Sequence, residues 1–215
     1  MVIPFTDAAD RAAACPRIAE HLRGGGLLAY PTETVYGLGS LATATGVAAL
    51  SALKGRQPGK PFLLLVASRS MAEQAGLHFS TSAGALADAF WPGPLTLILP
   101  GGGHLPDTLR GPEGGIAVRW TSHVGVAELV TFLEEPLTST SANRPGGPTA
   151  PGVGALVNLF GAAVADGRLL VLDGGVLGNV PPSTIVDCSG TVPRLVREGA
   201  LPRAELQARV GRWAP

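Results

Sequence analysis

The sequence predicts an α/β protein, a twisted mixed sheet covered by helices, folded as a single domain over residues 1-215. Three observations carry this prediction. Apolar runs of four or five residues, LLAY, FLLLV, LTLIL, IAVRW, LLVLD and STIVD, recur along the chain, with the length and composition of buried strands. Helical patterns lie between most of them, and that alternation builds layered α/β sheets. Toward the C-terminus STIVD and RLVRE follow each other with only a short turn between, so the sheet is mixed rather than purely parallel. No repeat of roughly 20–50 residues is visible, and no linker divides the chain.

The elements follow in order. A helix over residues 7–23 is capped by Thr6 or Asp7, with Pro16 able to restart it, and Gly24, Gly25 and Gly26 stop it. LLAY is a strand that runs into PTETVYGLGS (residues 31–40), a hydroxyl-rich turn at a strand end, where open α/β sheets place ligands. TGVAALSAL is a helix with Thr45 as a possible cap. FLLLV is a buried strand, followed by helices near 69–76 and 82–90. WPGP makes a rigid turn, with Trp91 assigned to the core, and LTLIL is the next strand. Residues 100–115 read as a mobile loop or short lid. GIAVRW is a strand interrupted by Arg119, and residues 122–133 form a helix capped by Ser122. PLTSTSANRPGGPTAP (residues 136–151) is a strand running into hydroxyls, an Asn and glycines. A helix near 153–160, the strand LLVLD, the turn GGVLGNVPPS, the strands STIVD and RLVRE, and an amphipathic helix over 202–212 complete the chain.

Composition narrows the function. The chain has 215 residues, 46% hydrophobic, with 16 basic and 16 acidic side chains, a mean hydropathy of +0.29 and a pI near 6.9. A balanced charge steers it to neither nucleic acid nor an anionic membrane, so tRNA contact is not indicated by charge. Cys15 and Cys188 have no CxxC spacing and fit a reducing, cytoplasmic setting without disulfides. The four histidines form no ligand pair, so no protein-built zinc site is expected. The N-terminus does not read as a signal peptide, and the apolar runs are too short to span a membrane.

The basic residues are unevenly placed. Only two are lysines, Lys54 and Lys60; both lie in SALKGRQPGKPFLLL with Arg56 between them, and no acid occurs from Thr34 to Ala72. Gly55, Pro58, Gly59 and Pro61 make this stretch a loop. Three cations on a glycine-rich loop beside a sheet edge can grip a polyphosphate; a solvated basic turn is the alternative. No GxSxG, Walker or GxGxxG pattern and no Cys–His pair is present. A site of Lys, Arg, hydroxyls and amides without a nucleophile suits nucleotidyl or phosphoryl transfer, which works by positioning and charge neutralisation.

PTETVYGLG, KGR followed by KP, PGPLTLIL, IAVR, TSAN with GGPT, LDGG, STIVD and LVREG occur in this order from about Gly24 to Gly199. On these motifs the chain resembles the YrdC family of threonylcarbamoyl-AMP synthases in its single-domain form. The resemblance implies a YrdC-like sheet lining a concave basic cavity. It implies a nucleotidyltransferase that converts L-threonine, bicarbonate and ATP, with Mg2+ accompanying the ATP, to threonylcarbamoyl-AMP and pyrophosphate. The product would pass to a tRNA threonylcarbamoyl transferase complex. It implies an ATP side made of Lys54, Arg56, Lys60, Ser141, Asn143, Thr149 and Arg197, with Lys54, Arg56, Ser141 and Asn143 as catalytic residues and the metal near Ser141 and Asn143. It implies a threonine side made of Thr32, Arg119, Ser139 and Ser183. Two departures stand out. Some longer members carry a His where this chain has Leu65, and the chain ends at Pro215 without the extra C-terminal domain of those members. Other readings of the same residues are an RNA-binding module using the basic cavity, a carbamoyl-adenylate-forming domain, and a nucleotide sensor without turnover.

Overall fold

The computed structural model describes residues 1–55, 61–178 and 180–214. Its strands are β1 (Val2–Pro4), β2 (Leu27–Tyr30), β3 (Gly37–Gly39), β4 (Leu63–Val66), β5 (Leu95–Leu99), β6 (Ile116–Trp120), β7 (Leu137–Ser141), β8 (Leu169–Asp173), β9 (Thr184–Asp187) and β10 (Arg194–Arg197). Among the described residues they form one ten-stranded sheet in the order β1-β8-β2-β3-β7-β4-β6-β5-β9-β10. The sheet is mixed. β1 and β2 pair parallel to β8, β4 to β6 and β5 to β9, while β3 pairs antiparallel to β2 and β7, β4 to β7, β5 to β6 and β9 to β10.

The helices are α1 (Ala8–Arg23), α2 (Ala44–Lys54), α3 (Arg69–Gln74), α4 (Thr81–Phe90), α5 (Val124–Leu133), α6 (Val153–Ala165) and α7 (Arg203–Gln207). Successive side chains of a strand point to opposite faces, and this sorts the core into two layers. Leu28, Tyr30, Leu65, Leu137, Leu170 and Leu172 pack with Ile18 and Leu22 of α1 and with Val126, Leu129 and Val130 of α5. On the opposite face Leu64, Val66, Leu95, Leu97, Val118 and Val171 pack with Val47 and Leu50 of α2, Leu86 of α4 and Leu156 and Phe160 of α6. Two-sided burial is why these strands read as continuous apolar runs. None of the described helices is long and apolar enough to cross a membrane.

Several local expectations are corrected. β1 and β3 are strands that the apolar pattern does not announce. Thr43, not Thr45, caps α2, its hydroxyl accepting from Gly46 N at 3.1 Å. His123, not Ser122, caps α5, with Nδ1 accepting from Val126 N at 3.3 Å. α6 runs on to Ala165 past non-helical angles at Phe160. α7 is shorter than the 202–212 pattern, ending at Gln207 with Leu206 as its buried residue. α1 keeps Pro16 inside a continuous helix. Residues 100–115 contain a 3-10 turn at Asp107–Leu109, with Leu109 buried and Arg110 donating to Gly101 O at 2.6 Å and Gly114 O at 3.2 Å. Trp91 sits in the core and donates to Leu95 O at 2.7 Å.

Among the described residues, helices do not cover the whole of one face. Beyond α1 and α5, alternate residues of the second half of the sheet lie together on this face: Leu63 of β4, Ala117 and Arg119 of β6, Thr96 and Ile98 of β5, Ile185 of β9. They floor a cavity of ≈ 380 Å³.

Candidate active site

The cavity wall begins at the turn after β2. Thr32 Oγ1 accepts from the amides of Thr34 and Val35, each at 3.2 Å, and donates to Val35 O at 2.7 Å. The Thr32 hydroxyl is thereby committed to fixing its own turn, with Thr34 Oγ1 3.1 Å away. The chain then returns as β3, which lies tightly between β2 and β7. A Cβ on Gly39 would stand 2.1 Å from Thr138 O, so glycine there is what lets β7 approach. β7 in turn delivers Ser139, Thr140 and Ser141 to the cavity.

Arg119 lies on the cavity floor and is 4% exposed. Its Nη1 stands 3.3 Å from Glu33 Oε1, and Thr121 Oγ1 donates to Glu33 Oε2. The ion pair is close without being aligned as a hydrogen bond: Arg119 Nε and Glu33 Oε1 are both buried and have no hydrogen-bond partner. Buried polar groups are rarely left so, and an Arg119 Nε without a partner is a donor whose hydrogen bond the described residues do not supply. Across the cavity Arg197 donates to Ser183 O at 2.7 Å. Desolvation, and then the charge of Arg119, push its guanidinium pKa down, although an Arg stays protonated in proteins. Ser183 Oγ and Thr96 Oγ1 are 2.9 Å apart and both buried. The described lining residues include two arginines and no acid, with Glu33 paired to one of them from behind.

The third side is the turn after β7. Lys54 closes α2, with Gly55 in the left-handed conformation as its C-cap (φ 62°), and its ammonium crosses to this turn. Nζ donates to Ser141 O and Asn143 O, each at 2.6 Å, and to Asn143 Oδ1. Ser141 Oγ also donates to Asn143 Oδ1, at 2.7 Å, and Asn143 Nδ2 donates to Gly147 O at 2.6 Å. Lys54 is 5% exposed. These oxygens are of the hard kind that magnesium takes, but they already converge on an ammonium. A divalent ion on the same atoms would lie against the lysine charge, so the cradle does not fit a protein-held magnesium.

Of the sequence-predicted residues, Thr32, Arg119, Ser139, Ser141, Ser183 and Arg197 line the one cavity. Lys54 and Asn143 stand behind Ser141, and Thr149 lies half-buried in the following loop, outside the lining. Arg56 and Lys60 lie outside the described residues; Pro61, which follows them, lines the cavity. Leu65 is in the core beneath α1 and α5. Sequence reasoning assigned no role to Glu33, Thr121 or Thr96. The signal for Glu33 was present, since it is the last acid before the acid-free stretch; Thr121 and Thr96 become visible only once the strands are paired. A second cavity of ≈ 430 Å³ lies past the ends of β5 and β9. Its Asp187 carboxylate, held low in pKa by Ser189 and Arg194 against the effect of burial, is already bonded to both, so it offers a ligand little.

The fold and site together define an α/β protein with a cavity on one face of a mixed sheet, lined by hydroxyls and two arginines. Residues 20–199 match the Sua5/YciO/YrdC family model, described as telomere recombination, and the chain belongs to this family. It is 34% identical over 194 residues to the threonylcarbamoyl-AMP synthase of Pyrococcus abyssi, covering 90% of this chain and 56% of the relative. It is 36% identical over 184 residues to the threonylcarbamoyl-AMP synthase of Thiobacillus denitrificans, covering 85% and 95%. The crystal structure of P. abyssi Sua5 complexed with L-threonine superposes with a TM-score of 0.89 at 31% identity, over 98% of this chain and 61% of that one. The chain thus spans little more than half of the Pyrococcus protein and nearly all of the Thiobacillus one.

Proposed function

We propose that the chain is a threonylcarbamoyl-AMP synthase, joining L-threonine, bicarbonate and ATP to give threonylcarbamoyl-AMP, pyrophosphate and water. The observation that carries this reading is Arg119, a buried guanidinium with an unpartnered Nε on the floor of the cavity. Its chemistry suits an amino-acid carboxylate. The Thr96–Ser183 hydroxyl pair supplies donors and acceptors for a substrate hydroxyl, and the relative whose structure holds L-threonine shares this fold closely.

The site residues need supply no nucleophile. Bicarbonate loses its hydroxyl as water to give CO2, the deprotonated threonine amine adds to the CO2 carbon and gives up a proton to form a carbamate, and a carbamate oxygen attacks the α-phosphorus of ATP. The α–β phosphoanhydride bond breaks and its electron pair leaves on pyrophosphate. Arg119 fixes the carboxylate, and Arg197 with the 141–143 turn faces the nucleotide. Holding two reactants in register removes much of the entropic barrier. Magnesium enters as MgATP, part of the substrate. Arg56 and Lys60 belong to the polyphosphate side in this reading. The product would pass to the complex that transfers threonylcarbamoyl to tRNA, in the cytoplasm.

The direct test incubates the protein with MgATP, threonine and 14C-bicarbonate. The expected result is label in threonylcarbamoyl-AMP, dependent on threonine; an RNA-binding module or a nucleotide sensor yields none.

A further inference from the structure

We propose that Lys54 is the resident cation of the 141–147 turn, a positioning residue that shapes the nucleotide side of the cavity through Ser141 and Asn143 and does not itself grip phosphate. The inference rests on the synthase reading for what the turn faces, and on geometry alone for what Lys54 does. An ammonium has three protons, and Ser141 O, Asn143 O and Asn143 Oδ1 accept three hydrogen bonds from it. Swinging Nζ toward a phosphate would strip these acceptors of their donor in a place that water hardly reaches. The stem is equally constrained: Lys54 is the last residue of α2, followed by a left-handed Gly55.

The same turn is pinned from a second direction. Arg144 donates to Leu53 O at 3.2 Å and Leu159 O at 2.8 Å, and its guanidinium stacks over the Phe160 ring at 4.9 Å. Residues 141–147 are therefore fastened to the end of α2 by two cations, one inserted and one external. Asn143 Oδ1 accepts from both Lys54 and Ser141 Oγ, and Asn143 Nδ2 is spent on Gly147 O. The Ser141 hydroxyl that lines the cavity is thus oriented by an amide that Lys54 orients. Charge for the polyphosphate has to come from other groups.

The test uses the whole chain, whose only lysines are Lys54 and Lys60, so a 15N-lysine sample gives two ammonium signals that Lys60→Arg assigns. A non-hydrolysable MgATP analogue is titrated while calorimetry records its binding. The expected result is a Lys54 ammonium protected from exchange before nucleotide is added and unmoved at saturation. A Lys54 signal that shifts on binding and couples to phosphorus overturns the proposal. Failure of the wild-type protein to bind nucleotide at all overturns the synthase reading beneath it, whatever the apo spectrum shows. Pyrophosphate release gives a second, independent readout. Lys54→Ala and Asn143→Ala should each lose about 100-fold, and the double variant about 100-fold rather than about 10,000-fold, since residues acting as one unit are not additive. Multiplying losses contradict the proposal, and if Lys54→Ala does not fold, the wild-type spectrum still decides.

Discussion

Arg119 and Glu33 form an ion pair beside the cavity, and the proposed recognition of threonine can be tested on it. The carboxylate stands 3.3 Å from Nη1 while Nε is buried without a hydrogen-bond partner, so the ion pair does not use all of the guanidinium's donors. Removing the guanidinium removes a charge-assisted contact of roughly 1.5–3 kcal/mol per hydrogen bond. Arg119→Ala should therefore weaken threonine binding by about 10–100-fold, with ATP binding little changed; unchanged threonine affinity by calorimetry would remove Arg119 from the site. Glu33→Gln keeps an acceptor for Thr121 Oγ1 but loses the ion pair, and should weaken threonine by about 5-fold, near 1 kcal/mol. Equal losses of ATP and threonine affinity would show a structural role instead. Arg119 was legible in the sequence as a lone cation inside an apolar run. Its partner was not, because pairing across the fold leaves no local pattern.

Strands and helices were legible wherever apolar residues announced them. β2, β4, β5, β6 and β8 were expected close to where they stand, because burial on both faces demands continuous apolar runs. β3 escaped because Gly-Leu-Gly has no strand propensity of its own; it exists because Gly39 lets Thr138 O come close. Gly39→Ala should accordingly cost about 2 kcal/mol or more, lowering Tm by about 4–8 °C for a chain of this size. A variant melting with the wild type would show that β7 can yield. The cap of α5 was misplaced by one residue, since a histidine is an unusual N-cap, and its chemistry has a consequence in pH. Burial lowers the His123 pKa, with Glu33 partly opposing, so the unfolded chain binds this proton first. Stability is then unaffected above about pH 6.5 and declines as pH falls from there to the lowered folded value. Urea denaturation from pH 7.5 to 5 should show a shallower decline in His123→Asn, which keeps a cap acceptor; identical slopes would assign the decline to other groups.

At the scale of the molecule, the cavity is a consequence of coverage. α1 and α5 shield one end of a sheet face, and the same face continues past them carrying Thr96, Ala117, Arg119 and Ile185 into the cavity. The fold class and the motifs of the cavity were readable from sequence, but the strand order was not. Neighbours such as β3 and β7, or β5 and β9, lie far apart in the chain, and hydrophobic periodicity carries no information on which strand a strand will join. Nor could the sequence show that Lys54 points back into its own protein, since a cation in a glycine-rich stretch reads the same whether it meets phosphate or a carbonyl. What the whole arrangement claims is that two small substrates meet MgATP in one cavity. The most direct measurement is pyrophosphate release by the pure protein with MgATP, with threonine and bicarbonate supplied singly and together. The account predicts release that requires both. Release from ATP alone, or with threonine in the absence of bicarbonate and CO2, would contradict it.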